Sequence, residues 1–219
     1  MVLSKRNKTA YAMSRRWRAA IFALALLVVT AFISIDHGLL RYQQPAQSQT
    51  HEQSKSSDFE KYHKKNFTVV NVVDGDTIDI DVSDGRYEHS RIRLWGVDTP
   101  ETKNNKTGVM YFGPQAGNFA RQLVLGKQVC IYIDEQRTRD KYGRLLAYVQ
   151  LPDGRFLNEV LIAEGFAYAD LRFQHSFYYK YQQAEAVARR QKKGLWREVT
   201  RNQLPEWLQR ERPKLLLEK

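Results

Sequence analysis

Three short strand-like runs between residues 67 and 97 constrain the fold of this chain most. The first run, FTVVNVV, is rich in β-branched residues and ends in DGD, a turn signal. The second run, TIDIDV, alternates apolar with polar residues, which is the period of a half-buried strand. A third run, RIRLWGV, follows the turn SDG. The pattern therefore predicts consecutive antiparallel strands joined by tight turns.

The second half of the chain adds helices to these strands. An amphipathic pattern follows Gly113 and Pro114 and stops at Gly126, which predicts a helix. Beyond it, the patterns predict two strands, at 127–134 and 144–151, and two helices, at 156–164 and 175–193. Five short strands with helices inserted late favour an α+β fold, a small closed β-barrel with helical additions.

The composition excludes several classes of site. Cys130 is the only cysteine in 219 residues, so an intramolecular disulfide and the common zinc frameworks are excluded. Three of the five histidines lie before residue 67, and only His89 and His175 fall in the predicted fold. A nuclease based on histidine, or a metal site built from several histidines, is therefore not expected.

The N-terminal segment carries a targeting signal. Residues 1–18 are basic and contain no acid, and residues 19–35 are uncharged and apolar. As a helix, the 17 residues from 19 to 35 would span roughly 26 Å, close to the thickness of a bilayer core. The basic flank predicts a transmembrane anchor with its N-terminus in the cytoplasm and the rest of the chain outside. A cleaved signal peptide, giving a secreted protein, is the alternative.

The remaining organisation follows from composition. Residues 36–66 are polar and predict a linker, and residues 67–197 form the predicted domain. Residues 198–219 are interpreted as a basic C-terminal tail without an assigned role. The whole chain has a formal net charge of +11, which suits a nucleic acid partner or a membrane surface. No protein partner is expected, and the domain is expected to be a monomer.

Four carboxylates at the predicted strand ends are candidates for chemistry: Asp74, Asp76, Asp98 and Glu101. The hairpin topology brings the turn after the first strand close to the end of the third. Carboxylates in such proximity repel each other unless a cation lies between them. Oxygen ligands without His or Cys favour calcium or magnesium. For each aspartate taken singly, ordinary turn chemistry is the alternative, above all for Asp74.

Two arginines accompany the carboxylates. Arg93 precedes Asp98 by five residues on the third strand, and Arg144 opens a later strand. A guanidinium presents paired donors that match a phosphate, so these residues with a hard cation suit a phosphodiester. Surface ion pairing is the alternative for either arginine. A slip of register would exchange Arg93 with Arg91, and the spacing to Asp98 favours Arg93.

Several ordered motifs resemble the staphylococcal nuclease (thermonuclease) family from residue 67 to residue 196. They are DGDT (74–77), RLWGVDTPET (93–102), the glycine, proline and alanine at 113, 114 and 116, DKYGRLLAYV (140–149) and LNEVLIAEGFA (157–167). The resemblance implies a five-stranded OB-like barrel with about three helices. It also implies a phosphodiesterase that depends on one calcium ion and acts on DNA and RNA.

The resemblance assigns roles to individual residues. It implies that the carboxylates of Asp76 and Asp98 and the backbone carbonyl of Thr99 bind calcium. The catalytic residues that it implies are Arg93, Glu101 and Arg144. Substrate contacts are implied for Lys141 and Tyr142. The family's nucleotide-pocket tyrosines have no clean counterpart here, and the sequence offers Tyr168, followed by Leu171 and Phe173, as a further substrate contact.

Two classes of function remain open at this stage. The first is a calcium-dependent nuclease that hydrolyses phosphodiester bonds of DNA or RNA outside the cytoplasm. The second is a membrane-tethered, non-catalytic OB-like module that binds nucleic acid, since this type of barrel also serves binding alone. An envelope protein in which the barrel is incidental is a further alternative. The presence of all five charged site residues favours the nuclease.

Overall fold

A computed structural model describes residues 57–102, 108–134 and 137–216 of the chain. The predicted anchor at 19–35 and most of the predicted linker lie outside these ranges. Within the described ranges, no helix is both long enough and apolar enough to cross a membrane.

Five strands form a closed barrel in the order β1-β2-β3-β6-β5. Their bounds are Lys65–Val72 (β1), Thr77–Ile80 (β2), Ser90–Leu94 (β3), Gln128–Ile133 (β5) and Leu145–Gln150 (β6). Neighbouring strands are antiparallel except β3 and β6, which are parallel. Barrel closure removes exposed sheet edges. The five-stranded barrel predicted from the sequence is confirmed.

The alternation of apolar side chains decides what fills the barrel. Ile78 of β2 lies opposite Ile92 of β3, and both are fully buried. Val69 of β1 and Ile131 of β5 are also fully buried. Because successive strand residues face opposite sides, this register turns the intervening polar residues out of the barrel interior.

A second, two-stranded sheet lies next to the barrel. It pairs Val97–Asp98 (β4) with Tyr168–Ala169 (β7) in antiparallel fashion. The turn between β3 and β4 contains Gly96 at φ 74°, where a Cβ would collide with the ring of His175. Glycine is therefore required at this turn, which brings Asp98 back towards the end of β3.

The helices cover the barrel on its outside. They are Gly113–Val124 (α1), Leu157–Ala163 (α2), Tyr178–Arg190 (α3) and Glu206–Glu211 (α4), with 3₁₀ turns at Gly194–Arg197 and Arg201–Gln203. Asn158 of α2 is fully buried, accepts a hydrogen bond from the Val149 N–H and donates to the Trp95 carbonyl. Helix α2 is thus fastened to both β6 and the β3–β4 turn.

The folded domain is longer at both ends than the sequence analysis expected. Residues 57–62 are helical, and Tyr62 is fully buried with its hydroxyl 2.9 Å from Ser90 Oγ. The linker assignment of 36–66 is therefore wrong for its last residues, because an aromatic side chain there packs on the barrel. At the other end, residues 198–216 of the expected tail fold back through their buried leucines, namely Leu204, Leu208 and Leu215.

Candidate active site

One pocket of about 480 Å³ opens beside the β3–β4 turn. Eight of the nine site residues expected from the sequence line it: Asp76, Arg93, Asp98, Thr99, Glu101, Lys141, Tyr142 and Arg144. They come from the β1–β2 turn, from β3 to the segment after β4, and from the loop before β6. The ninth residue, Tyr168, lies elsewhere. The fold therefore gathers residues that are up to 68 positions apart in the chain.

Arg93 lies at the centre of this pocket, with its side chain only 14% exposed. Its Nη2 donates to Asp98 Oδ1 at 2.8 Å, and its Nη1 lies 3.2 Å from Asp76 Oδ2. Nη1 also donates to the carbonyls of Leu94 and Val97. The backbone of the turn and the two carboxylates thus fix the guanidinium in one orientation.

Arg91, the alternative that a register slip would bring in, points away from the pocket. It makes a two-point contact with Asp79, at 2.7 and 3.0 Å, and its side chain is 51% exposed. The structure therefore gives the pocket position to Arg93, as the spacing to Asp98 predicted.

Asp76 is buried and accepts three hydrogen bonds. The N–H and Oγ1 of Thr99 donate to Oδ2 at 2.7 and 3.1 Å, and Thr77 Oγ1 donates to Oδ1 at 3.1 Å. The β1–β2 turn is thereby joined to the end of β4. This contact brings the segment that begins at Thr99 next to Asp76, as the hairpin argument predicted.

The other carboxylates carry raised pKa values. Burial raises the pKa of Asp98 to about 6 against the opposing effect of Arg93, and the charge of Asp76 adds to the rise. Burial and the neighbouring Asp76 raise the pKa of Asp74 to about 7. The pKa of Glu101 is raised by burial and by Asp76, partly offset by Arg93 and Arg144. The pocket therefore concentrates negative charge that its arginines only partly balance.

This excess of carboxylate charge fits a hard cation, with one qualification. Within the described residues, no three His, Cys, Asp or Glu side chains cluster closely enough to form a metal site alone. Asp76 and Asp98 instead lie on two sides of the Arg93 guanidinium. The described residues thus present two carboxylates, one on each side of a guanidinium, at this point of the pocket.

Arg144 is fixed by the loop that precedes it. Its Nε donates to Asp140 Oδ2 at 2.7 Å, while the backbone N–H groups of Tyr142 and Arg144 donate to Asp140 Oδ1. This turn sets the plane of the guanidinium through Nε and directs the remaining nitrogens to the pocket. Lys141 and Tyr142 lie at its rim, where Tyr142 is 72% exposed.

Tyr168 does not contact the pocket, so its assignment as a substrate contact is wrong. Its side chain is fully buried and packs edge-on against Trp196, with ring centroids 5.6 Å apart. The physical reason is the pairing of β7 with β4, which directs this side chain into the second hydrophobic cluster.

Trp95 and Arg137 line the pocket but were not predicted as site residues, whereas Phe173, which the sequence analysis named after Tyr168, does lie in it. Trp95 and Phe173 stack at 5.8 Å, and the Arg137 guanidinium lies 5.5 Å from the Phe173 ring. Trp95 lies within the RLWG motif, so its position in the sequence could have indicated that it is a pocket residue. Trp207 Nε1 donates to Asp98 Oδ2 at 2.8 Å, although the two residues are 109 positions apart in the sequence. No local sequence pattern predicts this contact.

Comparison with known proteins agrees with this geometry. A family model described as staphylococcal nuclease homologue matches residues 91–198. A thermonuclease of Staphylococcus hyicus is 36% identical over 143 residues, which cover 65% of this chain and 82% of the relative. A thermonuclease of Staphylococcus intermedius is 40% identical over 133 residues, covering 60% and 76%. Endonuclease YncB of Bacillus subtilis (strain 168) is 34% identical over 149 residues, covering 66% and 69%. The chain thus belongs to the staphylococcal nuclease family and is a nuclease, a hydrolase of phosphodiester bonds.

Proposed function

We propose that this protein is a calcium-dependent nuclease that cleaves DNA and RNA outside the cytoplasm. The observation that carries the proposal is the position of Arg93 between Asp76 and Asp98, in a pocket that Glu101 and Arg144 also line. This arrangement offers both signs of charge to one phosphodiester. The names thermonuclease and endonuclease, borne by the relatives, support the same reaction class.

Asp76 and Asp98 are the residues that would hold the ion, together with the Thr99 carbonyl. Oxygen donors alone suit calcium, which prefers carboxylate and carbonyl ligands. Burial is the main cause of the raised pKa of Asp98, the charge of Asp76 adds to it, and a divalent ion would offset this added repulsion. When bound, calcium would polarise a non-bridging phosphate oxygen and offset the charge that develops on it.

Glu101 is the residue that would orient the attacking water and accept its proton. Its carboxylate lines the same pocket as Arg93 and Arg144. Burial and Asp76 raise its pKa, which makes Glu101 a stronger base than an exposed glutamate. Glu101 would take the proton of water as its oxygen bonds to phosphorus; the P–O bond on the opposite side breaks, and the departing alkoxide takes a proton from solvent water.

The two arginines would bind the phosphate as its charge increases. Arg144 uses Nε on Asp140, so Nη1 and Nη2 remain to donate to phosphate oxygens. In Arg93, Nη1 donates to two backbone carbonyls and Nη2 donates to Asp98, so a second N–H of Nη2 remains to donate to the phosphate. Fixed donors of this kind stabilise the transition state more than the ground state.

Substrate binding would extend from the phosphate to a base. Lys141 and Tyr142 form the exposed rim, and the stacked pair Trp95 and Phe173 forms a wall of the same pocket. Aromatic faces stack on any base and so tolerate both DNA and RNA. A cation at the rim attracts the backbone, and binding should therefore weaken with salt.

Cleavage of labelled single strands tests the proposed activity. The full chain is incubated with single-stranded DNA or RNA in calcium, without added metal, and with a chelator. We expect internal cleavage that appears with calcium and disappears with the chelator. Binding of the strand without any cleavage in calcium would instead identify the non-catalytic module.

The proposed location has its own test. A basic N-terminus followed by the apolar residues 19–35 supports an anchor with the domain on the outer face. Protease added to intact cells or spheroplasts should then degrade the domain and leave a short anchored fragment. A domain that is protected until the membrane is dissolved would contradict this orientation.

A further inference from the structure

The segment at 199–216 reaches the candidate active site from outside the part of the chain that matches the family model. That match ends at residue 198, whereas helix α4 begins at Glu206. Its Trp207 donates Nε1–H to Asp98 Oδ2 at 2.8 Å. A residue beyond the family match thus contacts a carboxylate that the proposed function assigns to the metal.

With this contact, each of the two carboxylate oxygens of Asp98 accepts a hydrogen bond. Arg93 Nη2 donates to Oδ1 at 2.8 Å, and Trp207 Nε1 donates to Oδ2. The last side-chain torsion of an aspartate, χ2, takes a wide range of angles when no hydrogen bond fixes the carboxylate. With one donor on each oxygen, the carboxylate plane has a single orientation. Loss of the Trp207 donor would free that torsion, although Arg93 would still hold one oxygen.

Trp207 is itself held in place. The Arg172 guanidinium lies 4.1 Å from the centre of the indole ring, and Arg172 makes a two-point ion pair with Asp170 at 2.8 and 2.7 Å. The indole is therefore placed by a cation–π contact and by its hydrogen bond to Asp98. These contacts fix the donor before any ion or substrate binds.

The segment that carries Trp207 is anchored in the fold. Leu208 and Leu215 are buried, and Arg212 Nη1 lies 2.6 Å from Oε2 of Glu185, a fully buried carboxylate on α3. A buried charge without its partner is costly, so this pair resists undocking. These contacts dock the segment that contains α4 against the rest of the domain.

We propose that Trp207 is a positioning residue that sets the orientation of Asp98 for the metal ion. The inference rests on the proposed function, because it needs Asp98 to be a calcium ligand. Groups that hydrogen-bond to a metal-binding carboxylate orient it, and their removal commonly costs about 10- to 100-fold in metal affinity. Trp207 acts through Asp98 and has no contact with substrate in this role.

Calorimetric titration of calcium into the full chain tests the proposal without any turnover. W207F keeps an aromatic ring over Arg172 and removes the N–H, and its calcium affinity should fall by about tenfold or more. W196F is the matched control, since Trp196 is buried in the adjoining hydrophobic cluster and its Nε1 has no hydrogen-bond partner among the described residues. Its calcium affinity should stay within about twofold of wild type.

A second measurement uses the wild-type protein, so that it is decisive even if W207F folds poorly. The indole N–H resonances of Trp207 and Trp196 are assigned in the wild type by NOE contacts, to the Arg172 side chain for Trp207 and to the Tyr168 ring for Trp196. Calcium should shift the Trp207 resonance and leave that of Trp196 in place.

Equal calcium affinities for wild type and W207F, or an unresponsive Trp207 resonance in calcium-saturated wild type, would overturn the inference alone. A wild type that neither binds calcium nor cleaves would overturn the proposed function and the inference with it.

Discussion

Arg93 lies directly opposite Thr77 across β2 and β3. This register places the guanidinium beside Asp76, the residue that precedes Thr77, and the Leu94 N–H donates to the Asp76 carbonyl at 2.8 Å. A one-residue slip would turn every side chain of β3 to the other face. The same register that fills the barrel with isoleucines therefore assembles the charged end of the pocket.

Replacement of Arg93 by lysine should reduce turnover by about 100-fold or more, because one ammonium cannot reproduce the paired donors. The Arg93 guanidinium also donates to two backbone carbonyls of the β3–β4 turn, so a small loss of stability is expected as well. Steady-state cleavage of a labelled single strand measures the first effect, and urea unfolding measures the second.

Arg91 provides the control for that experiment on the same strand and the same face. It pairs with Asp79 outside the pocket, so R91K should keep cleavage within about twofold of wild type. Equal losses in R91K and R93K would mean that strand stability, and not the phosphate site, explains the result.

Glu101→Gln should lower kcat by about 100-fold or more with little change in KM, because an amide cannot accept the proton of the attacking water. The fold should tolerate the change, since Glu101 lies at the edge of the pocket, only partly desolvated and still accessible to solvent. The matched control is Glu88→Gln, an exposed glutamate in the β2–β3 connection. Full turnover in E101Q would remove Glu101 from the reaction.

The sequence predicted those parts of the site that lie within short motifs. Arg93, Asp98 and Glu101 share one nine-residue stretch, and the turn after β1 is visible in its DGD signal. The contact that joins them, from the Thr99 N–H to Asp76, follows from the hairpin topology. Local periodicity and turn chemistry thus sufficed for the barrel and for the charged centre of the pocket.

Two features needed the tertiary structure. Tyr168 has a ring and a hydroxyl that could contact substrate, but the pairing of β7 with β4 buries its side chain. No pattern in the sequence predicts the pairing of two such short strands. Trp207 reaches Asp98 only because buried leucines fold the C-terminal segment back. Contacts of such long sequence separation leave no periodic signal in the chain.

Substitution of the two tyrosines that the sequence analysis expected to contact substrate should have different effects on KM. Tyr142 is exposed at the rim, so Y142A should raise KM for a single strand by about fivefold or more through loss of stacking. Y168F should leave both KM and kcat unchanged, because the Tyr168 hydroxyl is buried and has no hydrogen-bond partner in the part of the chain that the structure describes. A higher KM in Y168F would restore Tyr168 to the substrate site.

Asp74 should make the metal-free protein less stable as the pH rises. Burial and Asp76 raise its pKa from 3.8 to about 7, so the folded state holds a proton that the unfolded chain has lost. Its contribution to stability is present below pH about 4 and is lost as the pH rises through about 7. Asp74→Asn, which stays neutral, should therefore be more stable than wild type at pH 8 by about 1–2 kcal/mol, with no difference at pH 4.

Asp79→Asn provides a control of opposite sign for this last experiment. Burial opposes the effect, but hydrogen bonds from Arg91 and Asn71 outweigh it and hold the pKa of Asp79 below its ordinary value. Its contribution is present above the unfolded pKa and is lost as the pH falls, so D79N should be less stable than wild type at pH 8. Urea unfolding in a chelator at pH 4 and pH 8 measures both variants. The contradicting outcome is a D74N variant that is less stable than wild type at pH 8. That result would mean that other groups compensate the Asp74 charge in the folded protein. The pocket would then hold less uncompensated negative charge to attract a cation than its carboxylates suggest.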